Sequence, residues 1–138
     1  MTENLVKKVK VAVYGSLRKG LHNHSLLEGE TFVGQFETDP EFSLIDLGSF
    51  PGLLKDGHTA VLMEVYEVDA TKLKRLDGLE GYRGKNNNNF YNREKIESPF
   101  GPLFTYFYNQ SSELIKVNII STGDWADYMR TKKIRSFI

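Results

Sequence analysis

The chain has 138 residues, of which 40% are hydrophobic and 26% charged, a composition that suits one compact domain over residues 1–138 and excludes wholesale disorder. Lysine and arginine together number 18, as do aspartate and glutamate, so the sequence lacks the broad positive field that a nucleic-acid partner would require. The absence of cysteine excludes disulfides, thiolate nucleophiles and cysteine-ligated metals.

The start of the chain predicts the compartment. The first ten residues, MTENLVKKVK, contain no apolar run of the length that a signal peptide needs. No later run approaches the ~20 apolar residues of a membrane span. We therefore expect a cytoplasmic protein with no membrane partner.

Alternation of apolar and polar residues predicts about six strands. The second and third of these runs are separated by Asp39-Pro40, and this short connection predicts that they form an antiparallel pair. The strand-like runs are 8–13, 31–38, 41–47, 59–68, 90–97 and 103–108.

A short helix is predicted after the fourth of these runs. Asp69 can cap its N-terminus, and Leu73 and Leu76 lie on one helical face. Gly78 stands where a C-terminal cap would fall, which limits the helix to about two or three turns.

A second helix is predicted to open at 122–124 and to dock on the sheet through one apolar face, formed by Trp125, Tyr128 and Met129. Strands outnumber helices and seldom alternate with long helices. The predicted fold class is therefore α+β, as a mixed, mainly antiparallel domain or small barrel rather than a doubly wound parallel sheet.

Three polar segments are expected to be solvated. The four asparagines 86–89 lack a core-forming residue and predict a mobile loop. Arg18-Lys19 and the basic stretch 130–135 are short clusters in a chain of formal net charge +0, which favours solvated faces over phosphate sites.

The segment Tyr14–Gly20 is a candidate anion-binding loop. A glycine-broken turn directly after a strand leaves backbone N–H groups without ladder partners, and such groups can cradle an anion. Leu21-His22 stand where a phosphate-binding P-loop carries Lys-Ser/Thr, which excludes nucleotide hydrolysis. Ser16 lacks the G-x-S-x-G setting of a nucleophile, so we assign it no covalent role.

The histidines do not predict a metal site. His22 and His24 have H-x-H spacing and His58 is the third histidine of the chain, so a metal would need all three or several added carboxylates. Loop or helix-capping roles are the simpler interpretation of these side chains.

Glu80 lies in the stretch LDGLEGY, 76–82, between two glycines and beside an aromatic residue. One interpretation is a solvated acidic turn residue, which most glutamates are. The other is a general base, if partial burial against an aromatic ring raises the pKa of the carboxyl from about 4.3 toward neutrality. Local sequence leaves both open.

Tyr91 and Arg93 lie two apart in a predicted strand and therefore project from the same face. A phenol and a guanidinium at this spacing can line one pocket wall. The simpler alternative is a pair on the strand surface.

Three motifs in this order resemble the gamma-glutamylcyclotransferase-like superfamily, and its small AIG2-like and gamma-glutamylamine cyclotransferase branch most closely. The resemblance spans about residues 9–108. The motifs are VAVYGSLRKG at 11–20 with Asn23-His24, LDGLEGY at 76–82, and YNR at 91–93.

The resemblance implies a small mixed β-barrel with flanking helices, and a cavity whose substrate-binding residues include Tyr14, Gly15, Ser16, Leu17 and Tyr91. It implies that Glu80 is the acid/base residue and that no cofactor takes part. The implied substrate is a small γ-glutamyl amine or peptide, whose own α-amine attacks the γ-carbonyl to give 5-oxoproline and a free amine.

The sequence departs from the family pattern after the Glu-Gly-Tyr triplet. Family members often carry a proline there, whereas Arg83-Gly84-Lys85 here leads into four asparagines.

Two other classes of protein remain open: a non-catalytic small-ligand binding module of the same fold, and a structural protein. The structural protein would lack a pocket joining Gly15, Glu80 and Tyr91.

Overall fold

The computed structural model describes residues 7–109 and 118–135. That part of the chain forms seven strands, a short 3-10 helix at His24–Leu27 and two α-helices. The helices are α1 (Ala70–Glu80) and α2 (Trp125–Arg135). The strands are β1 (Lys8–Val13), β2 (Thr31–Glu37), β3 (Phe42–Asp46), β4 (Pro51–Thr59), β5 (Leu62–Asp69), β6 (Tyr91–Ile96) and β7 (Leu103–Tyr108).

The strands form two sheets. The larger has five strands in the order β2-β5-β1-β7-β6, and the smaller is the antiparallel pair β3-β4. Only β1 and β7 run parallel in the described sheets. The predicted α+β class with a mainly antiparallel sheet is confirmed, although the ladder does not close into a continuous barrel.

Strand β1 lies at the centre of the larger sheet, and its second half, residues 11–13, is buried on both faces. Val11 and Val13 pack with Leu76 of α1 on one side, and Ala12 and the adjoining Tyr14 pack with the other core cluster. A strand that is packed on both faces is held rigidly, so the loop that begins at its end also has a fixed position. This loop is the predicted anion-binding segment.

The expected pairing of β2 with β3 is wrong. Strand β2 pairs with β5, and β3 pairs with β4, a strand that the sequence analysis did not predict. The Asp39-Pro40 connection therefore passes from one sheet to the other. Thr38 fixes the end of β2 on β5: its N–H donates to Val61 O, and its hydroxyl accepts from Val61 N at 2.9 Å.

Helix α1 begins where expected and ends later than expected. Its cap, Asp69, accepts a hydrogen bond from Lys72 N at 2.8 Å. The left-handed C-terminal cap is Gly81, with φ 70°, and Gly78 lies inside the helix. Gly81 N–H satisfies Asp77 O and Gly78 O, the carbonyls of the last turn. Glu80 is consequently the last residue of α1.

Helix α2 docks on the core as predicted, through Trp125, Tyr128 and Met129. Arg130 and Lys132 form ion pairs with Asp127 and Asp46, respectively. The side chains of residues 133–138 lie outside the described part, as do residues 1–6.

No helix within residues 7–109 and 118–135 is long and apolar enough to cross a membrane. No cluster of three metal-binding side chains occurs in those ranges.

Gly123 fixes the approach to α2, and we predict that Gly123→Ala lowers the free energy of unfolding by about 2–3 kcal/mol. Its φ is +70°, and an added Cβ would lie 1.8 Å from the carbonyl oxygen of Ala60. Gly101→Ala is the control, because its φ of +91° is also left-handed but nothing lies within 4 Å. Urea denaturation of both variants measures the difference, and equal losses would contradict the steric explanation.

Candidate active site

A cavity of about 340 Å³ opens where β1 ends. Five segments meet around it: the end of β1 with the loop that follows, residues 49–51 at the start of β4, the end of α1, the start of β6, and Tyr106 of β7. The structure thereby brings together all six residues that the sequence singled out, namely Tyr14, Gly15, Ser16, Leu17, Glu80 and Tyr91.

The loop after β1 presents unpaired backbone donors. The N–H groups of residues 15–17 donate to no group in the described part of the chain, whereas the following N–H, of Arg18, closes a turn onto Gly15 O at 2.9 Å. A Cβ at Gly15 would lie 2.8 Å from Pro51 Cγ, so this close approach of the loop to β4 requires glycine. Successive free N–H groups beside a cavity form a site suited to an anion.

Side chains hold the loop in this shape. Asn23 Nδ2 donates to Ser16 Oγ at 2.8 Å, and the ring of His24 is hydrogen-bonded through Nδ1 to Leu17 O at 2.9 Å. Because the carbonyl oxygen can only accept, His24 Nδ1 carries the proton. His24 therefore has the loop-holding role that was expected of it.

Arg18 is not a solvated cation, which corrects the prediction for Arg18-Lys19. Its side chain is buried and pairs with Glu64 at 3.2 Å and Asp124 at 2.8 Å. Glu64 also accepts from Lys19 N at 2.8 Å and from the Tyr66 hydroxyl at 2.9 Å. This network ties the loop to β5 and to the start of α2.

Glu80 faces the cavity from the last turn of α1. Burial, together with the smaller effect of the negative charge of Asp77, raises the pKa of this carboxyl to about 7. No described residue donates a hydrogen bond to it, so no protein donor offsets the effect of burial on its pKa. A carboxyl with a pKa near neutrality can both take and return a proton.

Asp77, one helical turn before Glu80, is held by two donors. The Tyr106 hydroxyl donates to its Oδ1 at 2.6 Å, and Arg93 donates to its Oδ2 at 2.5 Å. Arg93 does not line the cavity with Tyr91, so that possibility is wrong. Its guanidinium instead lies against the rings of Tyr82 and Phe104, 5.1 and 4.9 Å from their centroids.

Two tyrosines form fixed walls of the cavity. The hydroxyl of Tyr14 donates to Tyr106 O at 2.6 Å, and that of Tyr91 donates to Pro51 O at 2.5 Å. Burial raises the pKa of both phenols well above the usual range, and the nearby Glu80 charge adds to this shift. Both therefore stay neutral at physiological pH, with their protons committed to backbone carbonyls.

Residues 11–127 match the family model described as gamma-glutamyl cyclotransferase, AIG2-like. The chain belongs to this family. A Vibrio cholerae protein is 44% identical over 115 residues, covering 83% of this chain and 93% of that protein. The Escherichia coli gamma-glutamylcyclotransferase family protein YtfP is 33% identical over 119 residues, covering 86% and 97%.

Solved structures agree with the family assignment. The crystal structure of an uncharacterised Pyrococcus horikoshii protein matches with a TM-score of 0.73 and 27% identity, covering 92% of this chain and 97% of that one. The solution structure of Escherichia coli ytfP gives a TM-score of 0.64 at 31% identity, covering 86% and 97%.

This chain departs from the AIG2-like pattern directly after Glu-Gly-Tyr, where it has an asparagine-rich loop that is not simply solvated. Asn89 is buried: its Oδ1 accepts from Arg83 N at 2.8 Å, and its Nδ2 donates to Gly84 O at 3.0 Å. Asn86 adopts a positive φ of 69°, which asparagine tolerates better than most residues. Side-chain amides thus build this turn, and the polarity of the run concealed that role.

Several cavity residues of this cyclotransferase family member were missed by the sequence analysis. They are mostly apolar, and most lie outside the family motifs. Leu79 and Phe90 are next to Glu80 and Tyr91 and could have been inferred from those neighbours. Ala12, Val13 and Asn23 belong to the first motif. No local signal marks residues 49–51 or Tyr106. The missed residues are Ala12, Val13, His22, Asn23, Ser49, Phe50, Pro51, Leu79, Phe90 and Tyr106.

Proposed function

We propose that this protein converts a small γ-glutamyl amine or peptide into 5-oxoproline and a free amine, without a cofactor. The observation that carries the proposal is a carboxyl with a pKa of about 7, Glu80, facing the same cavity as the free N–H groups of residues 15–17. One group can move protons and the other can hold a carboxylate.

The loop and Glu80 would bind the two charged groups on the α-carbon of one glutamyl group. The N–H groups of residues 15–17 donate hydrogen bonds to the α-carboxylate, and Glu80 pairs with the α-ammonium and then faces the scissile bond. The hydroxyls of Tyr14 and Tyr91 donate to backbone carbonyls, which fixes the positions of the two rings. The rings would confine the carbon chain of the substrate between them. A bent substrate brings its α-nitrogen close to its γ-carbonyl carbon, and this proximity lowers the activation free energy of ring closure substantially.

The reaction balances with one carboxyl. Glu80 takes a proton from the α-ammonium, and the resulting α-amine forms a bond to the γ-carbonyl carbon. As the tetrahedral intermediate collapses, protonated Glu80 gives the proton to the departing nitrogen and the original C–N bond breaks. The lactam nitrogen keeps one hydrogen, and the second proton that it releases ends on the free amine.

One relative supports the substrate class. A Niallia circulans protein, 35% identical over 122 residues and covering 84% of this chain and 74% of that protein, is named gamma-L-glutamyl-butirosin B gamma-glutamyl cyclotransferase. Its named substrate carries a γ-glutamyl group, which is the part that the loop and Glu80 are proposed to hold here.

The test is a panel of γ-glutamyl amines and dipeptides incubated with the pure protein. We expect 5-oxoproline, detected by chromatography or NMR, from at least one member. If members of the panel bind but none yields 5-oxoproline, the non-catalytic binding module is the better description and the enzyme proposal fails.

The pH dependence follows from the pKa of Glu80. The carboxylate form is the base, so kcat/KM should fall about tenfold per unit below an apparent pKa of about 7. Asp77→Asn should move this limb to lower pH, because it removes the negative charge that raises the pKa of Glu80 and leaves Arg93 unneutralised nearby.

Asp39→Asn is the control for that shift, since Asp39 is exposed and does not line the cavity. Its profile should coincide with that of the wild type. An Asp77→Asn profile with an unmoved acid limb would remove Glu80 as the titrating group.

A further inference from the structure

Exposed apolar side chains gather at the rim of the cavity. Five large hydrophobic side chains are exposed in the part of the chain that the structure describes, and three of them line this cavity: Phe50, Leu79 and Phe90, at 37%, 43% and 46% exposure. Phe32 and Ile119 lie elsewhere. Apolar surface left in water at one site marks a place where a ligand can bind.

The apolar rim, formed by Phe50, Leu79 and Phe90, adjoins Glu80. Leu79 precedes Glu80 in α1. Gly81 follows Glu80, and its carbonyl oxygen accepts a hydrogen bond from Phe90 N at 3.1 Å. The rings of Phe50 and Phe90 meet edge to face at 5.8 Å. A group leaving Glu80 toward solvent therefore passes between these side chains.

The charge around the cavity is as informative as its apolar rim. Among the described residues that line it there is no lysine or arginine. The buried Arg18 is paired with Glu64 and Asp124, and Arg93 is paired with Asp77. His22 lies beside Asn23, on the side of the loop after β1. A carboxylate on the departing group would thus lie against phenylalanine rings without a cationic partner.

We propose that Phe50, Leu79 and Phe90 form the leaving-group subsite, and that it selects amines with an uncharged apolar substituent, aromatic ones above all, over α-amino acids. This inference rests on the proposed function, because it takes Glu80 as the group that protonates the departing nitrogen. The nitrogen must lie against Glu80, so its substituent lies against the apolar rim.

Three γ-glutamyl compounds test the subsite in matched pairs. The phenethylamide and the phenylalanine dipeptide differ only in a carboxylate on the departing group, and the phenethylamide and the ethylamide differ only in the ring. Calorimetric binding to the Glu80→Gln variant separates recognition from chemistry. The phenethylamide should bind at least about tenfold more tightly than either comparator.

Variants at the rim identify the site. In the Glu80→Gln background, Phe50→Ala and Phe90→Ala should each weaken phenethylamide binding by about three- to tenfold and leave ethylamide binding unchanged. Phe32→Ala is the control, because Phe32 is 54% exposed and outside the cavity. It should bind all three compounds like its parent.

The outcomes separate the two proposals. Equal or tighter binding of the phenylalanine dipeptide, no gain from the ring, or no binding of any compound overturns the subsite. Selective binding of the phenethylamide by Glu80→Gln, with no 5-oxoproline formed from it by the wild type, upholds the subsite as an amine-recognition surface and overturns the cyclotransferase reaction.

Discussion

Glu80→Gln is expected to lower the rate of 5-oxoproline formation by about 10²–10⁴-fold. Glutamine keeps the size of the side chain but cannot accept the ammonium proton or return it to the departing nitrogen. The substrate should still bind, weakened only by the lost ion pair, since the glutamine oxygen can accept from the α-ammonium and the N–H groups of residues 15–17 and the tyrosine walls are untouched. Glu28→Gln, at an exposed loop residue, is the control and should retain the wild-type rate.

The same variant should be more stable than the wild type above neutral pH. The pKa of Glu80 is raised from 4.5 to about 7, so its protonated form is favoured by folding. Its contribution to stability is fully present below the unfolded-state pKa and is lost as the pH rises through about 7. A neutral glutamine avoids that loss, which amounts to at most about 3 kcal/mol.

Thermal unfolding of both proteins at about pH 4 and about pH 8 measures this effect. The gain should appear only at the higher pH. A lower melting temperature for Glu80→Gln at both values would mean that Glu80 stabilises the fold, and any loss of activity would then not identify a general base.

Arg18→Met is expected to lower the free energy of unfolding by about 3–5 kcal/mol. The substitution keeps an unbranched side chain but leaves Glu64, with side-chain exposure of 8%, without its cation. Adding Glu64→Gln should recover part of the loss, because the amide carries no charge and its oxygen can still accept from Lys19 N and Tyr66.

Arg130→Met is the matched control, because Arg130 also pairs with an aspartate but its side chain is 70% exposed. Its unfolding free energy should change by less than about 1 kcal/mol. Urea denaturation compares the three variants. Equal effects of Arg18→Met and Arg130→Met would contradict the buried network that anchors the loop after β1.

Elements with a complete local signal were predicted well. The alternating valines gave β1, and Asp69 with its two leucines gave the start of α1. Glu80, which a cap at Gly78 would have placed after the helix, is instead its last residue. The error over Gly78 has a local cause, because two glycines were available and only Gly81 adopts the left-handed conformation that ends the helix.

Strand partners and buried charges could not be predicted in the same way. Strand β4, PGLLKDGHT, has no alternation because it is buried at its start and exposed further along. Arg18 has the local sequence of a surface cation, and its burial depends on Glu64 and Asp124, which are far away in sequence. Such contacts are set by the tertiary fold rather than by periodicity.

The central claim is that the substrate's own α-amine, aided by Glu80, displaces the departing amine. Turnover of the best γ-glutamyl substrate in water labelled with heavy oxygen tests it directly, with mass spectrometry of the products. Intramolecular attack predicts unlabelled 5-oxoproline and one equivalent of free amine, because no water oxygen enters the product. Labelled glutamate, or labelled 5-oxoproline, would show attack by water and contradict the account.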